Sequence, residues 1–220
     1  MKDFKQLYRD AIRKHGEAEL NALLPKVKSA RALSAVSDEN CLSAMARCIF
    51  QAGFVWKVVD AMWPGFEEAF HGFSPERLAS LKPGQVDQLK QDERIIRNAQ
   101  KIKAVLDNAR YVSRVSAEHD GFGRFLAQWP DDDLAGLWQS LSREGSRLGG
   151  ITGPRFLRNV GKDTYIFSPD VVSALIASGV IDRAPTGKAA QAVCHEAFAQ
   201  WRAQSGRPWC EISMIAACSV

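Results

Sequence analysis

The sequence predicts an all-α fold built around a glycine hairpin in its last third. Three observations carry that prediction. Apolar residues recur at spacings of three and four along most of the chain, the period of one helix face. The breaks between these stretches carry Ser, Asp and Pro at starts and Gly at stops. No stretch alternates apolar and polar residues long enough to make a strand. With 220 residues, 46% of them apolar, the chain is long enough for one large domain or two small packed ones.

The elements follow in order. Residues 3–15 place Phe4, Leu7, Tyr8 and Ile12 on one helical face, and a short helix from Glu17 to Leu24 stops at Pro25. Residues 27–35 are basic and weakly periodic, and read as a connector. Ser37-Asp38-Glu39-Asn40 starts a helix by capping; its apolar set Leu42, Met45, Ala46, Ile49 and Phe50 implies a buried central helix. The pattern resumes through Val58, Val59 and Met62 to Pro64-Gly65, followed by short helices at 66–70, from Pro75 and from Pro83. Residues 93–113 give the clearest amphipathic helix, with Ile95, Ile96, Ala99, Ile102, Leu106, Ala109 and Val112 as its stripe. Beyond a loop at 119–123, helices follow around Phe125 and Leu126, after Asp131–Asp133, after the hairpin, from Ser168, from Pro185 and over Glu211–Ala217. The total is on the order of ten helices.

The hairpin is Arg147-Leu148-Gly149-Gly150-Ile151-Thr152-Gly153-Pro154-Arg155-Phe156-Leu157-Arg158, with three glycines in five positions. Glycines let the backbone turn tightly and bring its N–H groups close to a partner. Thr152 is suited to cap the following helix, and Pro154 to its first turn. The free N–H groups and positive dipole end of that helix then face outward, which suits an anion, most commonly a phosphate. A plain turn between two helices is the alternative. Arg147, Arg155 and Arg158, with Lys162 beyond them, would supply further phosphate contacts.

Composition narrows the partners. The net charge of +4 fits a nucleic-acid partner without demanding one. No apolar run approaches the ~20 residues of a membrane span, and the first residues hold no signal-peptide core. The five cysteines, Cys41, Cys48, Cys194, Cys210 and Cys218, are scattered and odd in number, which points to reduced thiols in the cytoplasm. No CxxC or HxxxH pair suggests a metal, and no cofactor is implied.

Two blocks resemble a known family. Phe50-Gln51-Ala52-Gly53-Phe54-Val55-Trp56, with Phe70, Phe73, Pro75, Leu89, Asp92 and the run Ile95–Ile102, resembles the 3-methyladenine DNA glycosylase I family over roughly residues 42–112. The Gly149–Arg158 hairpin with Phe167-Ser168-Pro169-Asp170 resembles the helix-hairpin-helix element of the wider DNA glycosylase superfamily. The resemblance implies two packed helical lobes across residues 1–220, with the hairpin around 145–160. It implies hairpin amides of Gly149, Gly150, Ile151, Thr152 and Gly153 gripping a phosphate of duplex DNA that carries a damaged base. It implies a flipped base held near Cys48, Gln51 and Trp56, released by hydrolysis of its N-glycosidic bond by a monomer. A base cannot be excised inside the stack, so extrusion and aromatic stacking are the expected means. Trp56 is suited to that stacking, and equally to core packing.

The departures from the family define the open questions. The family's base-reading glutamate lies three positions before the glutamine, where this chain has Cys48. The family's N-terminal Cys-and-Trp segment, its Tyr-His-Asp stretch and its zinc ligands are absent. The superfamily's catalytic aspartate aligns with Ser168, and the nearest acid is Asp170. Asp170 has two readings: a carboxylate that stabilises the sugar cation or activates water, or a first-turn acid complementing the helix dipole behind Ser168 and Pro169. A non-catalytic protein of the same fold that binds damaged or distorted DNA is the second functional reading.

Overall fold

The computed structural model describes residues 1–220. It contains fifteen α-helices and no strand: α1 (Phe4–His15), α2 (Glu17–Leu23), α3 (Ala30–Ser34), α4 (Asp38–Gln51), α5 (Trp56–Ala61), α6 (Trp63–Ala69), α7 (Pro75–Ala79), α8 (Pro83–Gln91), α9 (Ala99–His119), α10 (Phe122–Gln128), α11 (Leu134–Glu144), α12 (Thr152–Val160), α13 (Pro169–Ala177), α14 (Gly187–Ser205) and α15 (Trp209–Cys218). The all-α expectation holds. No helix is long and apolar enough to cross a membrane. The helices form two compact units, one of residues Lys28–Lys162 and one of Met1–Val27 with Asp163–Val220.

The Lys28–Lys162 unit is organised on α4. Ser37 accepts the Asn40 N–H at 3.3 Å, and Asp38 and Glu39 place negative charge against the positive helix end. Cys41, Leu42, Met45, Ala46, Cys48, Ile49 and Phe50 are all buried, too wide an arc for a surface helix. Asp38 also accepts the Phe122 N–H at 2.8 Å, which ties the start of α10 to that of α4. Around Phe50 lies an aromatic cluster: its ring meets Phe66 edge-on at 4.6 Å, and Trp63 stacks on Phe66 at 5.0 Å. Such pairs stabilise by about 0.5–1.5 kcal/mol beyond the area they bury.

Two sequence boundaries are corrected here. The expected connector at 27–35 contains α3, started by Ser29, whose hydroxyl accepts from Ala32 N–H. The helix expected over 93–113 begins only at Ala99 and runs on to His119. Asp92 is the reason: its carboxylate takes the Arg94 N–H at 2.9 Å and the Arg94 guanidinium at 2.6 Å, a local arrangement that competes with helix. Asn98 then accepts the Lys101 N–H at 3.1 Å as the actual N-cap.

The second unit packs α1, α2, α13, α14 and α15. The fully buried Trp201 donates its indole N–H to the Lys2 carbonyl at 3.0 Å, and Tyr165 stacks on Phe198 at 4.3 Å. The short apolar run Tyr165–Phe167 is neither helix nor strand: Ile166 N–H donates to Ser213 Oγ at 3.2 Å, and Ser168 N–H turns back onto the Ile166 carbonyl at 2.9 Å. Asp163 accepts the Trp209 and Cys210 N–H groups at 3.0 and 2.9 Å and so caps α15 from a distance in sequence.

Candidate nucleic-acid interface

The hairpin is fixed to α9 before it turns. Asn108 is fully buried; its amide donates to the Ser146 carbonyl at 3.0 Å, and its own oxygen accepts the Ser146 N–H at 2.7 Å. This reciprocal pair satisfies a buried amide and sets where the hairpin starts. Arg147 then adopts φ +59°, in the left-handed region that costs a non-glycine residue about 1–2 kcal/mol. Gly150 follows at φ +58°. Gly153 is required for a different reason: a Cβ there would lie 2.5 Å from the Leu148 carbonyl oxygen.

Thr152 is not the N-cap. The chain is already helical at Ile151 (φ −81°, ψ −18°), because Thr152 N–H closes the turn on the Gly149 carbonyl at 3.3 Å, and no side chain caps the helix. The remaining first-turn N–H groups have no intrahelical partner, as at every helix start. Gly149, Gly150, Ile151, Thr152 and Gly153 thus lie at the N-terminal end of α12, as the sequence implies.

Facing the hairpin is Lys101, in the first turn of α9 and only 6% exposed. Its ammonium donates to the carbonyls of Phe50 (3.1 Å) and Ala52 (2.5 Å) and lies 4.3 Å from the Phe54 ring centre. These carbonyls belong to the end of α4, where unpaired oxygens and a negative dipole end gather. Lys101 therefore caps α4 from another helix. Burial, and then the nearby Arg147 charge, hold its pKa below the ordinary lysine value. Arg147 is exposed, and its guanidinium donates to the Gln100 side chain at 2.6 Å. Ile49, Ala52, Lys101, Arg147, Gly149 and Thr152 line a cavity of about 310 Å³. Two cations and a helix N-terminus meet there and no carboxylate lines it, so the cavity favours an anion.

The expected base-pocket residues have distinct settings. Trp56 opens α5 and is 48% exposed, so it is not a core residue. The Arg155 guanidinium lies over its ring at 4.7 Å. Gln51 donates to Asp60 at 3.1 Å, a carboxylate that also pairs with Arg47 at 3.0 Å. Cys48 is buried at 4% exposure, and the Asn159 amide donates to its sulfur at 3.3 Å. Burial pushes the Cys48 thiol up to about 12, with the charges of Arg155 and Arg47 opposing, so the group is neutral. Arg158 sits in the last turn of α12, where its charge complements the negative helix end.

Lys162 is not available to a phosphate: the Asp131 carboxylate already neutralises its buried ammonium at 2.8 Å, and, unlike Lys101, it does not line this cavity. Asp170 belongs to the other unit, as the exposed second residue of α13 behind Ser168, whose hydroxyl accepts the Val171 N–H at 3.3 Å. Sequence reading singled out neither Lys101 as a cavity cation nor Asn108 as the hairpin anchor. Lys101 stood only inside the matching run, and a lysine or asparagine on a polar helix face carries no mark of burial.

Comparison with known proteins adds three findings. A family model described as methyladenine glycosylase matches residues 4–143, well over half of the chain. The chain is 33% identical over 76 residues to DNA-3-methyladenine glycosylase 1 of Escherichia coli K12, a match covering 34% of this chain and 41% of that protein. It thus spans about two fifths of the length of the curated relative that it matches. Among solved structures, the 3-methyladenine DNA glycosylase I of Staphylococcus aureus superposes with a TM-score of 0.53 at 18% identity, covering 69% of this chain and 91% of that one. The Methanocaldococcus jannaschii 8-oxoguanine glycosylase/lyase, in complex with DNA containing 8-oxoguanine, gives 0.59 at 12% identity and covers 97% and 94%. At such identities these likenesses are of fold. The family match stops just short of the hairpin, while the fold likeness runs through it. The sequence match across α1 to α11, with the helical architecture around it, establishes that this chain belongs to the methyladenine glycosylase family.

Proposed function

We propose that the protein is a DNA glycosylase of base-excision repair, acting in the cytoplasm as a monomer, which hydrolyses the N-glycosidic bond of an alkylated purine of the 3-methyladenine type in duplex DNA. The observation that carries this reading is the cavity where Lys101, Arg147 and the N-terminus of α12 converge. It supports a phosphodiester held at Gly149–Gly153, a contact that positions the duplex without reading its sequence. Beside it, the loop between α4 and α5 exposes Phe54, Val55 and Trp56, apolar surface suited to unstacked bases.

The chemistry needs little from the protein. An alkylated purine already carries positive charge, so the C1′–N bond can break with its electron pair going to the base. Water then supplies the hydroxyl at C1′ and loses a proton. Asp170, the nearest acid to the position that the resemblance aligns with Ser168, is the carboxylate assigned to the sugar cation. Trp56 would hold the expelled base by stacking.

The neutral Cys48 favours a second reading, a protein that binds damaged DNA without cutting it. One experiment separates the two. Methylated duplex DNA is incubated with the wild type and with Cys48→Glu, and free 3-methyladenine is measured. The glycosylase reading expects release by the wild type. It expects release at least about tenfold faster from Cys48→Glu, the effect of a restored hydrogen bond to a charged group. DNA binding without release by either protein supports the binding module.

A further inference from the structure

Trp56 and Arg155 are almost a hundred residues apart in sequence, yet they make one contact: the guanidinium carbon lies 4.7 Å from the indole ring centre. Trp56 presents this face at the edge of the protein, half exposed. Arg155 stands in the first turn of α12, two residues past Gly153. Several arginines of the same unit are matched to carboxylates: Arg47 to Asp60, Arg94 to Asp92, Arg114 and Arg143 to Glu144, Arg124 to Asp120. Arg155 rests on the indole instead. Its charge is also felt at the buried Cys48 thiol, which sets it close to both positions assigned to the base.

We propose that Arg155 is the gate of the base site: without DNA its guanidinium covers the face of Trp56, and an entering base displaces it onto a phosphodiester of the bound duplex. The proposal rests on the reading of Trp56 as the stacking platform. A base and a guanidinium are both planar and need the same face, so they cannot occupy it together. A cation on an exposed indole is weakly held, whereas a guanidinium pairs with a phosphate in a charge-assisted, forked geometry. The hairpin that receives the phosphate and the residue that uncovers the indole share one helix turn. Engagement of the backbone therefore opens the stacking face, and a base presented on DNA is favoured over the same base free in solution. By linkage, a bound base also strengthens the grip on the backbone.

The test compares wild type, Arg155→Ala, Arg155→Gln, Trp56→Ala and Arg155→Ala/Trp56→Ala, each confirmed folded by its melting temperature. Free 3-methyladenine and a duplex with an abasic-site analogue are the two probes. Removing the guanidinium is expected to tighten free-base binding about two- to fivefold, the factor by which an exposed cation–π contact closes the face. The same variants should bind the abasic duplex more weakly, with a salt slope smaller by about one. Adding Trp56→Ala should abolish the gain in base binding. Base binding unchanged or weakened in both folded Arg155 variants overturns the gate. Failure of the underlying reading looks different: base binding then ignores Trp56→Ala whether or not Arg155 is present.

Discussion

Gly153→Ala is expected to lower the melting temperature and weaken binding to an abasic-analogue duplex by at least about tenfold, the larger change being in binding. The added Cβ meets the Leu148 carbonyl oxygen at 2.5 Å; its place is fixed by the backbone that bears it, and the oxygen is itself backbone. No side chain can swing aside, so either the turn opens or α12 shifts. Overpacking of this kind costs about 1–3 kcal/mol, and in a chain of this size each kcal/mol moves the melting temperature by about 2–4 °C. Binding suffers more because amide donors must meet a phosphate to within a few tenths of an ångström. Gly150→Ala is the useful contrast. Its Cβ would meet nothing within 4 Å, so only the left-handed φ resists it. Equal losses in the two variants, by melting and by titration, would show that space at Gly153 is not the issue.

Lys101→Met should be the second large effect. It deletes the ammonium that satisfies the carbonyls of Phe50 and Ala52 and the buried cation of the cavity. Leaving the buried Phe50 carbonyl without its donor costs about 1–3 kcal/mol. The loop carrying Phe54 and Trp56 loses its tie to α9, so duplex binding and stability fall together. Lys101→Arg keeps the charge but brings a broader fork, and should recover binding only in part. The pH dependence has a definite sign. The folded protein holds the Lys101 pKa below the ordinary lysine value. In the window between the two values the unfolded chain binds more protons, so stability rises with pH there and is flat below it. Lys101→Met removes this rise, which denaturation at a series of alkaline pH values would detect.

Much of this architecture was legible in the sequence because helix signals are local. Ser37, Ser74, Asp133 and Ser168 cap helices where they stand in the chain, each by a bond from the N–H three residues on. The glycine hairpin was legible for the same reason. What escaped was non-local. The start of α9 depends on Asp92 gripping Arg94, and the placing of the hairpin on Asn108 meeting Ser146 across 38 residues. Lys162 looked like one more surface cation, and only the fold shows it closed off against Trp129 and Asp131. Thr152 was misplaced by one residue because a turn closed by Gly149 makes the chain helical before its usual cap. Trp56 was undecidable from sequence between core and surface, and its exposure settles that point.

We infer that the Gly149–Gly153 hairpin, with Lys101 and Arg147, is a phosphate grip for duplex DNA. Its most direct test is the affinity for a duplex with an abasic-site analogue over a series of salt concentrations, for the wild type and for Arg147→Ala. A phosphate grip should give binding at low salt, a linear fall of log K with log salt, and a slope shallower by about one in the variant. No binding at low salt, or a slope that Arg147→Ala leaves unchanged, would contradict it.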